Sequence, residues 1–181
     1  MSAMLFLAVS AGLVYFSRRS LLAPRSHGFP RFFAFEALAG LILLNAPAWF
    51  DDPLSLRQMF SWMLLVLSAA IALHSFLFLT RVGRPEQPPL EGTNVAFENT
   101  TQLVVTGLYR YIRHPMYLSL ILLGAGACLK DPSLGAGVLA LAAAGFLVAT
   151  AKSEEAENRA RFGSVYEEYM GRTKMFVPFL F

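Results

Sequence analysis

Residues 59–79 read MFSWMLLVLSAAIALHSFLFL, which is 21 residues without a single Asp, Glu, Lys or Arg. A helix of this length covers about 30 Å, which is the thickness of the hydrocarbon core of a bilayer. In lipid the backbone of such a segment can satisfy its own hydrogen bonds only as a helix. The stretch therefore predicts a membrane-spanning helix.

Four further apolar stretches accompany this one, at residues 3–16, 32–50, 115–129 and 134–151. The first and third of these are shorter than the roughly 17 residues that a crossing needs, so they would borrow neighbouring residues. Of the 181 residues, 56% are apolar and only 15% charged, a balance unusual for a soluble domain of this size. We predict an all-α, polytopic membrane helical bundle of about five transmembrane helices, with a C-terminal cytoplasmic amphipathic helix.

The basic residues lie almost entirely on one side of the predicted spans. Thirteen of the fifteen Lys and Arg residues fall in the first and third connections and in the tail, and only Arg57 and Lys130 fall on the other side. This bias places the N-terminus outside and the C-terminus in the cytoplasm, with a bacterial inner membrane as the expected location. Arg18 and Arg19 follow the first apolar stretch, which favours a retained anchor over a signal peptide.

The chain is expected to form a single domain (1–181) in four parts. Residues 1–79 hold three spans, 80–114 a cytoplasmic loop, 115–151 a helical hairpin and 152–181 a tail helix. Prolines and glycines between residues 83 and 92 favour irregular structure in the loop. The glycosylation sequon at Asn99 lies on the predicted cytoplasmic side, so no modification is expected there.

Polar side chains within the spans are expected to serve helix packing. Serines recur every seven residues at Ser61, Ser68 and Ser75, and small residues let helices approach closely in lipid. Glu36 is expected to form an interhelical hydrogen bond, with an acceptor-site role as the alternative. His74 is expected to be a packing residue. The single cysteine excludes an internal disulfide and a multi-cysteine metal site, and no metal ligand is predicted.

The most informative stretch for chemistry is TGLYRYIRHPMY at residues 106–117, where a loop enters a helix. Gly107 permits backbone angles that other residues avoid, and Pro115 suits a first helical turn. Arg113 and His114 precede that turn, where amide dipoles and a guanidinium favour a carboxylate or a phosphate. The alternative is that the arginines and tyrosines only anchor a span at the interface.

A second polar group lies where the last apolar stretch ends. Glu154 and Glu155 are adjacent at the expected membrane–water boundary, which favours a cationic partner. In a helix Glu154, Asn158 and Arg161 share one face. The adjoining apolar side carries three aromatic residues, Phe162, Tyr166 and Tyr169. The alternative is an amphipathic helix that lies on the membrane surface.

Residues 106–117 resemble the T-G-P-Y-x-Y-x-R-H-P-x-Y signature of the isoprenylcysteine carboxyl methyltransferase family, which is related to membrane phospholipid methyltransferases. The family's second signature is a glutamate pair, a Phe-Gly, two tyrosines three apart and a terminal proline. The matching residues here are Glu154, Glu155, Phe162, Gly163, Tyr166, Tyr169 and Pro178. The two signatures occur in the same order and cover roughly the C-terminal half of the chain.

The resemblance implies a methyltransferase whose last spans and tail enclose S-adenosyl-L-methionine on the cytoplasmic side. The cofactor-binding residues that it implies are Gly107, Tyr109, Arg113, His114, Pro115, Tyr117, Glu154, Glu155 and Asn158. The cofactor's carboxylate suits the helix N-terminus at His114, and its ammonium and sulfonium suit the glutamates and tyrosine rings. Glu154 and Glu155 are also the catalytic candidates, as a base that a protonated amine acceptor would need.

The chain departs from the family pattern at Thr150, Ser119 and Asn158, where an arginine, a glycine and a leucine are usual. Because the arginine accompanies carboxylate methylation, a prenylcysteine-like carboxylate, a lipid amine and a small thiol all stay open as acceptors. The upstream spans, with Glu36, are expected to shape the acceptor site.

Two other functions stay open, an NADPH-dependent membrane reductase related to sterol reductases and a non-enzymatic membrane scaffold. The expected partners are the lipid bilayer and a lipophilic small molecule or lipid. A net charge of +3 gives no indication of nucleic-acid binding.

Overall fold

The computed structural model describes residues 2–84 and 100–178, so the prolines of the loop and the sequon Asn99 lie outside the described residues. The helices are α1 (Ser2–Leu21), α2 (Gly28–Asn45), α3 (Leu56–Arg81), α4 (Pro115–Cys128), α5 (Leu134–Phe162) and α6 (Ser164–Arg172), with short 3₁₀ helices at Ala46–Ala48 and Gly107–Arg110. No strand occurs within the described ranges. The prediction of an all-α fold is confirmed.

Four helices, α1, α2, α3 and α5, are long and apolar enough to cross a membrane. Helix α4 has 14 residues. Its length of about 21 Å falls short of a hydrocarbon core of about 30 Å. The helical membrane fold is thus established, and five as the number of spans stays a prediction.

Helix α5 does not end with its apolar stretch at residue 151 but continues to Phe162. The added residues are mostly Lys, Glu, Ala and Arg, which favour helix. The helix ends at Gly163, whose φ of +56° is a conformation that glycine adopts without strain. The predicted tail helix therefore consists of two parts, an extension of α5 and the separate helix α6.

Hydroxyl and small residues line the contact between α3 and α4. The Oγ of Ser61 donates to the carbonyl of Gly126 at 2.7 Å, and the Oγ of Ser68 donates to that of Ser119 at 2.7 Å. A Cβ atom on Gly126 would lie 2.9 Å from the Cγ of Leu65. The predicted packing role of the serine repeat is confirmed at these two positions.

Helix α2 packs against both α1 and α5. The Oγ of Ser10 on α1 donates to the Oε1 of Glu36 at 2.9 Å, which confirms the predicted interhelical hydrogen bond. On the side of α5, the rings of Phe33 and Phe146 stack with centroids 5.4 Å apart. The contact with Phe146 helps to hold α5, whose extension carries Glu154 and Glu155.

At the end of the bundle away from residues 106–117, Lys130 is fully buried. Its Nζ donates to the Oε1 of Gln58 at 2.9 Å and lies 3.6 Å from the ring centroid of Trp62 and 5.4 Å from that of Trp49. Burial lowers the pKa of Lys130, and the charge of Arg57 lowers it further. Because Gln58 belongs to α3 and Lys130 follows α4, this cluster joins the ends of the two helices.

Candidate active site

Gly107 and His74 shape the loop that precedes α4. Gly107 has a φ of +62°, as its residue type predicts, and opens the 3₁₀ helix that carries Tyr109. A Cβ atom on Gly107 would lie 2.6 Å from the Cε1 of His74. The His74 ring also stacks on Phe78 with centroids 4.4 Å apart. His74 therefore packs against the loop, and its Nδ1 is buried without a hydrogen-bond partner in the described part of the chain.

Residues 173–176, which we call the tail strap, run beside the start of α4. The backbone N of Arg113 donates to the carbonyl of Lys174 at 2.8 Å, and that of His114 donates to the carbonyl of Met175 at 3.1 Å. The two segments are parallel at this point. The tail strap thus fixes the backbone from which the two basic side chains extend.

Arg113 is the centre of a buried network of charged groups. Its Nε donates to the Oε1 of Glu155 at 2.6 Å, and its Nη1 donates to the carbonyls of Thr173 at 2.5 Å and Met170 at 3.4 Å. The Nε2 of His114 lies 3.3 Å from the same Glu155 oxygen. Glu155 is only 4% exposed, so its charge is balanced by Arg113 and not by water.

A cavity of about 670 Å³, a volume that includes its open mouth, lies between the loop, α4, the α5 extension and α6. Fourteen residues line the cavity: Leu79, Thr100, Leu103, Val104, Tyr109, Arg113, His114, Met116, Tyr117, Glu154, Asn158, Phe162, Tyr166 and Tyr169. Residues of the first motif, at 106–117, and residues of the second, from Glu154 onward, therefore line one cavity.

Six of the nine site residues predicted from the sequence line this cavity, namely Tyr109, Arg113, His114, Tyr117, Glu154 and Asn158. The other three do not. Gly107 shapes the loop, Pro115 begins α4, and Glu155 lies behind Arg113 and His114. The hypothesis that Glu155 acts directly on a ligand is therefore at odds with the geometry, because its carboxylate is occupied by two basic side chains.

Glu154 is the carboxylate that opens into the cavity. Its side chain is 29% exposed, and its Oε2 lies 3.7 Å from the Nδ1 of His114. This distance is longer than a hydrogen bond, so Glu154 keeps its acceptor capacity for a ligand. The two adjacent glutamates thus occupy different environments, one open to the cavity and one enclosed.

Two buried tyrosines form part of the cavity wall. Burial raises the pKa of Tyr166, and the charges of Glu154 and Glu155 raise it further against the lowering effect of its hydrogen bond with Asn158. Burial also raises the pKa of Tyr169, whose hydroxyl donates to the carbonyl of Tyr109 at 2.6 Å. Both phenols are therefore neutral at physiological pH, so they offer aromatic faces and not a base.

The remaining lining residues are mostly apolar and were not on the predicted list. Leu79 is the last residue of an apolar stretch, and Leu103 and Val104 precede the first motif without any pattern that marks them. Phe162, Tyr166 and Tyr169 belong to the second signature, which could have identified them.

The upstream spans contribute little to the described wall. Among the described residues, the upstream spans supply Leu79 of α3 to the lining. Glu36 instead accepts a hydrogen bond from Ser10. Thr150 also lies off the wall, because it is fully buried and its hydroxyl donates to the carbonyl of Phe146 at 2.7 Å. Glu36 is thus not among the lining residues of this cavity, and the expectation that the upstream spans shape the acceptor site stays a prediction.

Comparison with known proteins adds two findings. Residues 92–158 match the model of the isoprenylcysteine carboxyl methyltransferase (ICMT) family. Methanethiol S-methyltransferase 2 of Bradyrhizobium diazoefficiens is 37% identical over 76 residues, which is 41% of this chain and 28% of the relative. The match thus spans less than a third of the curated relative's length. No solved structure matches the chain significantly.

The resemblance predicted from the motifs is confirmed by these matches, and both support a membrane methyltransferase. The segment that matches the family model contains all nine predicted site residues, from Gly107 to Asn158.

Proposed function

We propose that this protein is an integral membrane methyltransferase that transfers a methyl group from S-adenosylmethionine to a small lipophilic acceptor. The observation that carries the proposal is that two motifs, separated by a helical hairpin, contribute side chains to one cavity. A surface anchor would not require the two motifs to meet.

The charges around the cavity fit the cofactor. S-adenosylmethionine carries a carboxylate, an ammonium and a sulfonium, which are three groups that need different partners. The N-terminus of α4 at His114, together with the part of the Arg113 guanidinium that does not face Glu155, would hold the carboxylate. Glu154 would hold the ammonium, and the aromatic rings of Tyr109 and Tyr166 suit the sulfonium.

The bound cofactor would supply a methyl group that is already activated. The residues of the chain therefore need only orient the donor and the acceptor and exclude water from the cavity. Alignment of donor and acceptor can lower a barrier by several kcal/mol. Glu155 acts as a positioning residue, since it holds Arg113 and His114 in place. If the acceptor atom carries a proton, Glu154 is the side chain available to receive it, because Tyr166 stays protonated.

Among the acceptors left open by the sequence, we favour a small thiol. The curated relative is named for methanethiol. Leu79, Leu103 and Met116 give the cavity an apolar side that suits such a molecule.

Replacement of Glu154 by glutamine tests the proposal. We expect the dissociation constant of S-adenosylhomocysteine to rise about 10- to 100-fold, because one charge-assisted hydrogen bond is lost. The melting temperature should change little, since the contact of this carboxylate with the Nδ1 of His114, at 3.7 Å, is longer than a hydrogen bond. Calorimetry on detergent-purified protein measures the dissociation constant, and circular dichroism measures the melting temperature. Glu168→Ala, which removes an exposed carboxylate paired with Arg172, is the matched control.

The same preparation separates the alternative functions. Binding of NADPH without binding of S-adenosylhomocysteine would identify a reductase, and binding of neither would favour a scaffold. Transfer of a labelled methyl group to methanethiol, to a prenylated cysteine or to phosphatidylethanolamine then distinguishes the three acceptor classes.

We also propose that the C-terminus is cytoplasmic and the N-terminus outside. Basic residues on the side of the cavity support this orientation. In bacteria, green fluorescent protein fused after residue 181 should fluoresce, and alkaline phosphatase fused at residue 131 should be active. An active phosphatase at the C-terminus would contradict the orientation.

A further inference from the structure

His27 and Glu157 form a junction between α2 and the α5 extension that no step described above uses. The backbone N of His27 donates to the Oε1 of Glu157 at 2.9 Å, and the Nδ1 of His27 lies 2.6 Å from its Oε2. His27 precedes α2 and is 2% exposed, whereas the Glu157 side chain is 38% exposed. The glutamate therefore places both of its oxygens on one buried residue at the N-terminus of a helix, where the helix dipole favours a carboxylate.

Glu157 lies on the side of α5 next to the residues that line the cavity. An α-helix turns about 100° per residue, so Glu154, Asn158 and Phe162 form one stripe within roughly 80°. These three residues line the cavity. On this geometry Glu155 lies at one edge of the stripe and Glu157 about 60° beyond the other edge.

The two flanking carboxylates bind different elements. Glu155 is held by Arg113, which directly precedes α4, and Glu157 is held by His27 at the start of α2. The apolar contacts between α2 and α5 involve residues before Lys152, such as Phe146 and Leu147. Beyond that point α5 continues as the same helix, so its backbone sets the rotation of the extension and the polar contacts at Glu155 and Glu157 help to hold it. Two contacts on opposite sides of the stripe restrict that rotation in both directions.

We infer that His27 and Glu157 are positioning residues for the cofactor site, because they help to hold the α5 extension in the orientation that turns Glu154 and Asn158 into the cavity. The inference rests on the function proposed above. Cofactor affinity would then depend on α2 as well, although α2 supplies none of the described residues that line the cavity.

Glu157→Ala should weaken the binding of S-adenosylhomocysteine about tenfold, which is the scale on which residues without ligand contact modulate affinity. His27→Ala should have a smaller effect, since the backbone N of residue 27 still donates to Glu157. The double variant should bind no more weakly than Glu157→Ala, because both changes remove the same junction. Glu157→Gln should bind within about twofold of the unaltered protein, since its amide accepts from the backbone N and donates to an unprotonated Nδ1.

The experiment is calorimetric titration of S-adenosylhomocysteine into the detergent-purified protein of 181 residues, well below the melting temperature of each variant. Glu168→Ala is again the control. The melting temperature of each variant is measured alongside, because a contacting pair is non-additive in stability as well. Weaker binding by Glu157→Ala, with recovery in Glu157→Gln, at a temperature where every variant is fully folded is a result that a general loss of stability would not produce. If Glu157→Ala cannot be purified in folded form, His27→Ala carries the same test.

Unchanged affinity in Glu157→Ala and His27→Ala, with the unaltered protein binding normally, would overturn this inference and leave the proposed function intact. An equal loss in the Glu168→Ala control would overturn it as well. Absence of binding by the unaltered protein would overturn the proposed function and the inference together.

Discussion

Arg113→Ala is expected to weaken the binding of S-adenosylhomocysteine by at least about 100-fold and to lower the free energy of unfolding by about 3–5 kcal/mol. The stability loss arises because Glu155, which is 4% exposed, keeps its charge and loses its closest partner. Two carbonyls, of Thr173 and Met170, lose their donor at the same time. The binding loss arises because Arg113 lines the cavity and is joined to the tail strap. Calorimetry and chemical unfolding followed by circular dichroism measure the two effects.

A double substitution separates these two effects. Arg113→Met combined with Glu155→Leu removes the buried pair as a unit, so much of the lost stability should return while binding stays lost. Arg110→Ala is the control, because Arg110 is exposed in the same loop and should change stability by less than about 0.5 kcal/mol. Normal binding by Arg113→Ala would refute the assignment of this arginine to the cofactor site.

Gly107→Ala is expected to lower the free energy of unfolding by about 2–5 kcal/mol, through two separate causes. The backbone conformation at a φ of +62° costs a residue with a side chain about 1–2 kcal/mol of conformational free energy. The added Cβ would also lie 2.6 Å from the Cε1 and 2.9 Å from the Nε2 of His74, so the loop or the ring has to move. A melting temperature lower by about 5–15 °C should follow.

Two further variants test this explanation. Adding His74→Ala to Gly107→Ala removes the overlap with the imidazole and should restore part of the stability. The contact with the Cε1 of Phe78 at 2.9 Å and the cost of the backbone conformation would remain. Gly137→Ala, where nothing lies within 4 Å of the added Cβ in helix α5, should be neutral or stabilising by about 0.5–1 kcal/mol. Gly107→Ala as stable as the unaltered protein would show that the loop adopts another conformation.

The helices could be predicted from the sequence because apolar runs between polar connections carry their own signal. The end of α5 could not be placed, because residues 152–162 continue the helix without the apolar contrast that marks a span. The tail strap could not be predicted either. It depends on single backbone hydrogen bonds between residues 113–114 and 174–175, and such pairing leaves no periodic pattern.

The candidate site was predictable as a group of residues but not as an arrangement. Glu154 and Glu155 are equivalent in the sequence, yet neighbouring residues on a helix point about 100° apart. Which of them faces the cavity depends on where Arg113 lies, and that is set by long-range contacts. The junction of His27 with Glu157 joins residues 130 positions apart, and neither residue belongs to the motif positions that suggested the site.

The lysine cluster at the other end of the bundle has a consequence for optical measurements. Trp49 and Trp62 are the two tryptophans of the chain, and both rings lie near the ammonium of Lys130. The length of α4, about 20 Å, separates them from the cavity, whose wall holds four tyrosines and no tryptophan among its described residues. Tryptophan emission therefore monitors one end of the molecule only. A fluorescence melting curve would miss a variant that loosens the cavity alone, and it would stay silent when a ligand binds there.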